Sequence, residues 1–244
     1  MLAHKQPNLK LKGFTVVEMV IVIPIVILVI GVFVYAIINM TGDVLASRAS
    51  DALAYNIQDA LNRIEADIKI SDGYLTTSIT PNTPQGVGDG ASPFQKSNNL
   101  LILNSFATTD NPLSSTRNIV YTSSPNACNT NQVSQNPPLM FNVVYFTKDN
   151  NTSLWRRVIA PSNYADINAR CGTPWQQPSC TPGYTNLFCK TQDVKLVTGK
   201  NITFGIVYPT PPSISIGITI TTTDTVAGRD ITQSGAINAV SLNN

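Results

Sequence analysis

The apolar positions of this chain change period along its length, and each period predicts a different element. Residues 19–38 are twenty consecutive uncharged residues, nearly all Val, Ile, Leu, Met or Phe. As a helix that run crosses roughly 30 Å of hydrocarbon. Farther on, Leu53, Ile57, Leu61, Ile64 and Ile68 recur at spacings of 4, 4, 3 and 4. That spacing puts them on a single helical stripe suited to a sheet. Asp51, Asp59, Arg63, Glu65 and Asp67 lie mostly off the stripe, and Glu65 and Asp67 read as a solvated face. Thr41-Gly42 loosens the join between the two segments without breaking it, and the first strong stop is Ser71-Asp72-Gly73. The pattern therefore predicts one helical stem over residues 14–70, about 85 Å long at about 1.5 Å per residue.

After the stem the pattern turns to loops and strands. Residues 73–99 are polar and rich in Pro and Gly, a loop of a length usually tied to function. Short β-rich runs are predicted at residues 100–104 and 118–123. Residues 140–147 and 154–160 flank the turn-forming stretch 148–153 as a hairpin, and strands follow at 194–198, 202–208 and 213–223. In the last of these, Ile214, Ile216, Ile218 and Ile220 alternate with Ser, Gly and Thr, so one face is buried and the other wet. Residues 235–242 add a closing strand. A long helix followed by many antiparallel strands predicts an α+β fold: a helix with a membrane-spanning first half and an amphipathic second half, packed on an antiparallel β-sheet domain.

Charge placement singles out the N-terminus. Lys5, Lys10 and Lys12 precede the apolar run and no acidic residue accompanies them, so the positive-inside rule keeps this end cytoplasmic and sends the head outward. Glu18 is the exception, a carboxylate at the start of an apolar helix. On insertion scales it costs about 2.5–3.5 kcal/mol, and such residues usually have a function. If the bond after Gly13 is cut, the new α-amino group of Phe14 is a natural partner, within one chain or between neighbours.

Lys12-Gly13-Phe14-Thr15-Val16-Val17-Glu18 resembles the processing site of type IV prepilins and of the pseudopilins of type II secretion. The match covers roughly residues 10–40. It implies cleavage after Gly13 by a prepilin peptidase, methylation of the new N-terminal Phe14, and a role for Glu18 in assembly. Many members of the family carry proline where this chain has Tyr35, and Pro24 lies earlier. A looser resemblance joins Val144-Tyr145-Phe146, Ser153 to Arg157, residues 197–204 and residues 240–244 to the larger minor pilins and J-type pseudopilins. The resulting organisation is a cleaved leader (1–13), a transmembrane or filament-core helix (14–40), an amphipathic stem (41–72) and an extracytoplasmic β-rich head (73–244). Two other readings of the N-terminus are an uncleaved signal anchor, with Glu18 reaching the headgroups, and a signal peptide cut after Val44-Leu45-Ala46. The second needs an apolar region far longer than usual.

Composition fits an anchored ectodomain. The 244-residue chain carries +2, but without the three leader lysines 13 basic residues face 14 acidic ones, so its basic balance is no sign of nucleic acid. Charged residues are only 12 %, which describes a polar surface of low charge. Cys128, Cys171, Cys180 and Cys189 all follow the apolar run, and an even number in an exported domain reads as two disulfides. Three pairings are open. The nine-residue spacings from Cys171 to Cys180 to Cys189 do not suit zinc, and the Pro/Gly-rich stretch 170–190 reads as a stapled loop.

Catalysis finds little support. His4, the only histidine, lies in the leader, so the processed chain has no imidazole base. Asp149-Asn150-Asn151 reads as a turn rather than a calcium loop. Arg156-Arg157 places one guanidinium on each face of a strand, one stem packed and the other solvated. Trp155, Trp175, Tyr164 and Tyr184 read as packing beneath the disulfide loop or as an adhesive surface. The expected protein has no catalytic residues, metal or cofactor. It is a single-pass membrane protein that assembles into a pilus at the cell surface. Its expected partners are the prepilin peptidase, other pilin subunits, an inner-membrane assembly platform and membrane lipid, with a surface or DNA ligand open. The alternatives are a pseudopilin of a secretion or competence apparatus and an anchored binding ectodomain that never assembles.

Overall fold

The computed structural model describes residues 15–74, 94, 97–121, 138–160, 175–180, 191–208 and 215–241. One helix, α1 (Val16–Ile70), runs through 55 residues, and the chain divides into two compact units at residues 47 and 48. In the first unit the helix is clothed in exposed apolar side chains, among them Ile27, Leu28, Phe33 and Ile38. It is long and apolar enough to cross a membrane. Pro24 sits inside it and lacks the N–H that would bond the carbonyl of Val20. At Thr41 the hydroxyl donates to the carbonyl of Ile37 at 2.8 Å, and the helix passes Gly42 without interruption.

The second unit begins with the amphipathic part of α1. Leu53, Ile57, Leu61, Ile64 and Ile68 are all buried, joined by Ala60, as the 4-4-3-4 spacing predicts. They face strands from two main sheets. The larger has the order β1 (Gly73–Tyr74), β2 (Leu100–Phe106), β3 (Met140–Lys148), β4 (Ser153–Ile159), β7 (Val194–Thr198), and every neighbour is antiparallel. The smaller has the order β10 (Arg229–Ala239), β9 (Ile216–Val226), β8 (Asn201–Val207), again antiparallel. A short parallel pair joins β5 (Ser179–Cys180) to β6 (Thr191–Gln192). The main core gathers Leu61, Ile64 and Ile68 of the helix with Leu101, Leu103, Phe141, Tyr145, Phe204, Ile218 and Ile220. The arrangement is α+β, a long helix packed on antiparallel sheets, as the sequence predicts.

Two turns set the strand registers. The β3–β4 tip places Asp149, Asn150 and Asn151 in succession at φ 56°, 56° and 62°. Asp and Asn are the non-glycine residues that tolerate this left-handed region best. The tip is tied down: Ile202 N–H donates to Asn151 O at 2.7 Å and Gly199 N–H to Thr152 O at 3.0 Å. The stretch is thus a turn, as expected. Between β9 and β10 the two-residue turn Ala227–Gly228 has φ 52° and 77°, the type I′ geometry that matches strand twist.

Several boundaries differ from the sequence expectation. The closing strand begins at Arg229, six residues before the expected start, and ends at Ala239. Its inward positions include Gln233 and Gly235, so apolar alternation does not mark it. Gly235 is there for closeness: a Cβ would lie 2.8 Å from both Ile57 Cγ2 and Leu61 Cδ1. The expected strand at 118–123 is reduced, among the described residues, to bridges at Ile119 and Tyr121. The loop expected from Gly73 starts as a strand, with Gly73 opposite Asn104 and Tyr74 opposite Leu103. The stretch 170–190, read as irregular, contributes β5.

Candidate functional site

The start of α1 explains where Glu18 points. Thr15 immediately precedes the first helical residue, and Glu18 lies three residues later. Glu18 Oε2 accepts from Thr15 N–H and from Thr15 Oγ1–H, both at 2.9 Å, while Glu18 N–H donates to Thr15 Oγ1 at 3.3 Å. This is a reciprocal capping box, which satisfies donors the first turn leaves open. The carboxylate also sits at the positive end of the helix dipole. Sequence reasoning gave Glu18 a partner outside its helix and missed this one, although Thr-x-x-Glu before an apolar run is the signal for it. Among the described residues the other oxygen, Oε1, has no partner. Gly13 and Phe14, the expected cleavage pair, lie outside the described residues.

At the other end of the helix a polar network fastens α1 to the larger sheet. Asp67 accepts from Arg156 Nε at 2.6 Å and Arg156 Nη2 at 3.2 Å, and the Tyr145 hydroxyl donates to the same carboxylate. All three groups are largely buried, so Asp67 is not on a solvated face, and this corrects the sequence reading. Its partner is 89 residues away in the chain, beyond any local signal. Glu65 does face solvent, paired with Lys69. Burial, then the charge of Asp67, pushes the Tyr145 phenol well above its ordinary value. For Arg156, burial pulls the guanidinium down, but the charge and hydrogen bonds of Asp67 outweigh it and hold it above the ordinary range.

The second arginine of the doublet is paired as well. Arg157 donates from Nη2 to Asp193 Oδ2 at 2.6 Å, and its guanidinium lies 5.1 Å from the Phe146 ring and 5.7 Å from Phe94. Strand alternation does split the doublet between faces, but neither residue is left to solvent. Trp155 packs with this aromatic cluster, Lys148 and Lys195 approach its ring at 5.5 and 5.8 Å, and its Nε1–H donates to Ser153 Oγ at 2.7 Å. Trp175 is exposed, and Tyr164 and Tyr184 lie outside the described residues.

A cavity of about 210 Å³ opens beside the Asp67–Arg156 pair, with Leu103, Val143 and Val158 as walls and Trp175 at its rim. Gln176 closes the adjoining end of β2 as a strand would. Its Oε1 accepts from Thr108 N–H at 3.0 Å, and its Nε2 donates to Phe106 O at 2.7 Å. Cys128, Cys171 and Cys189 lie outside the described residues, and of Cys180 only the backbone, in β5, is described. Among the described residues no cluster of three His, Cys, Asp or Glu side chains converges on a metal-sized site. No family model, curated protein or solved structure matches the chain.

Proposed function

We propose that this protein is a type IV pilin-like subunit, made as a membrane precursor and acting by assembly rather than by turnover of a substrate. In this reading a prepilin peptidase cuts after Gly13, Phe14 becomes the methylated N-terminus, and residues 14–40 pass from the membrane into a filament core. The observation that carries it is the joining of two features. The segment Gly13-Phe14-Thr15-Val16-Val17-Glu18 leads into and forms the first turn of a helix whose first half is exposed and apolar, and the second half of that helix belongs to an α+β head. The capping box adds support. It engages Oε2 of Glu18 and leaves Oε1 to accept from an α-amino group, so capping and assembly are compatible at one carboxylate.

In this reading the head, with the long Pro/Gly-rich sequence that follows Tyr74 and four cysteines expected to form two bridges, suits a minor subunit present at low copy number. Partners in this reading are the peptidase, the assembly platform, lipid and other pilin subunits. The test is the mass of the N-terminal peptide from the protein purified from its native host. A chain beginning at methylated Phe14 is expected, and Gly13→Val is expected to leave a precursor heavier by the leader and absent from sheared filaments. An intact leader in the wild-type mature protein overturns the assignment.

A further inference from the structure

We infer that strand β10 is an association edge that pairs antiparallel with β10 of a second copy of this chain. The turn Ala227–Gly228 makes Val226 and Arg229 the hydrogen-bonded closing pair of the β9–β10 hairpin. Alternation then commits Ile231, Gln233, Gly235, Ile237 and Ala239 to β9. The N–H and C=O groups of Asp230, Thr232, Ser234, Ala236 and Asn238 point the other way, and β10 is the last strand of its sheet. Among the described residues nothing pairs with that side.

Edges of this kind are normally blunted by a Lys, a Pro, a bulge or a covering element. β10 runs in unbroken register over 11 residues and carries its only charges, Arg229 and Asp230, at one end. The same five residues have exposed side chains, so their face of the strand is accessible.

The sequence of the edge fits itself. With Ser234 on a twofold axis, Thr232 falls opposite Ala236, Asp230 opposite Asn238, and Ile231 opposite Ile237. Every outward N–H and C=O of the five residues finds a partner, no like charges meet, and Asp230 gains an amide donor. The two three-stranded sheets become one six-stranded sheet. The axis is normal to that sheet, so residues 48–70 of the two copies run in opposite directions. This is an edge-to-edge contact between heads; because the stems run in opposite directions it joins copies that are not neighbours in one parallel helix bundle, and the experiment below does not depend on the assembly reading.

The test uses the full chain in detergent micelles, where both helix directions are allowed, with two differently tagged populations and the wild type as the cysteine blank. Oxidised Ser234→Cys is expected to give a covalent dimer at least tenfold above the blank. Thr232→Cys alone is expected to stay near the blank, and Thr232→Cys mixed with Ala236→Cys to give a dimer carrying both tags. Ser234→Pro removes an N–H that β9 does not use, so it is expected to abolish the mixed cross-link while the melting temperature stays unchanged. Ser234→Lys, which sets like charges across the axis, is expected to do the same and serves if the proline variant fails to fold. Equal yields from Thr232→Cys and Ser234→Cys, no dimer in either arrangement, or cross-linking that survives in folded Ser234→Lys overturns the inference.

Discussion

The two halves of α1 are continuous in backbone and opposite in what surrounds them. From Val16 to Ile38 the helix presents large, exposed apolar side chains on every side. Residues 48–70 present a single stripe; each member of it is buried, and from Ile57 onward it belongs to the core shared with the strands. A helix that is apolar all round needs an apolar solvent or neighbours, whereas a striped helix needs only one covered face. The difference teaches that burial follows from matching the width of the apolar surface to what the chain itself supplies. The first half is apolar over a wider surface than one covered face can bury, which is the composition of a candidate membrane span.

The sharpest way to break this comparison is to attack the fastening of the striped half. Asp67→Ala leaves the Arg156 guanidinium and the Tyr145 hydroxyl buried without their acceptor, and the expected loss is about 3–5 kcal/mol in chemical denaturation. Asp67→Ala combined with Arg156→Leu is expected to recover more than half of that, because an apolar pair replaces an orphaned charge. A loss under about 1 kcal/mol for the single variant would mean that the stripe alone holds the helix. A lysine in the first half should act on a different quantity altogether. Ile30→Lys is expected to make membrane insertion less favourable by about 2.5–3.5 kcal/mol while the unfolding midpoint of the head stays put. A glycosylation-reporter assay reads the first and thermal unfolding the second, and a moved midpoint would show that the halves are coupled.

The smallest effect sharpens the account of the head. Thr222 is fully buried on the inner face of β9, and among the described residues its Oγ1 has no hydrogen-bond partner. Thr222→Val keeps the shape and removes the orphan, so the head should gain about 1 kcal/mol. A measured loss would reveal a bridging water at that hydroxyl.

The parts legible in the sequence are those where one local signal decides. The stripe from Leu53 to Ile68 reads directly because helical period and burial agree at every position. Ile216, Ile218 and Ile220 read for the same reason at period two. β10 was half visible, since its inward face alternates Ile231, Gln233, Gly235 and Ile237, and only two of the four are apolar. Gly235 looks like a weak point in a strand until Ile57 and Leu61 are placed beneath it. The Asp67–Arg156 pair was invisible, because nothing near Asp67 distinguishes it from its half-buried neighbour Glu65, which pairs locally with Lys69. The capping box is legible, because Thr15-x-x-Glu18 before an apolar run is a local signal of a helix start.

The close contact at Gly235 also has a consequence for the order of events during synthesis. Ile57 and Leu61 are covered by a residue more than 170 positions later in the chain. At translation rates of about 5–20 residues per second, the stripe waits roughly 10 to 35 s before that cover exists. Such long-range closure also slows folding, because the intervening chain must be ordered before the contact rewards it. A newly made chain therefore carries Ile57 and Leu61 without that cover through most of its synthesis. Whatever shields Leu53, Ile57 and Leu61 in that interval, a lipid surface or a chaperone, is as much a requirement for this fold as the strands that finally replace it.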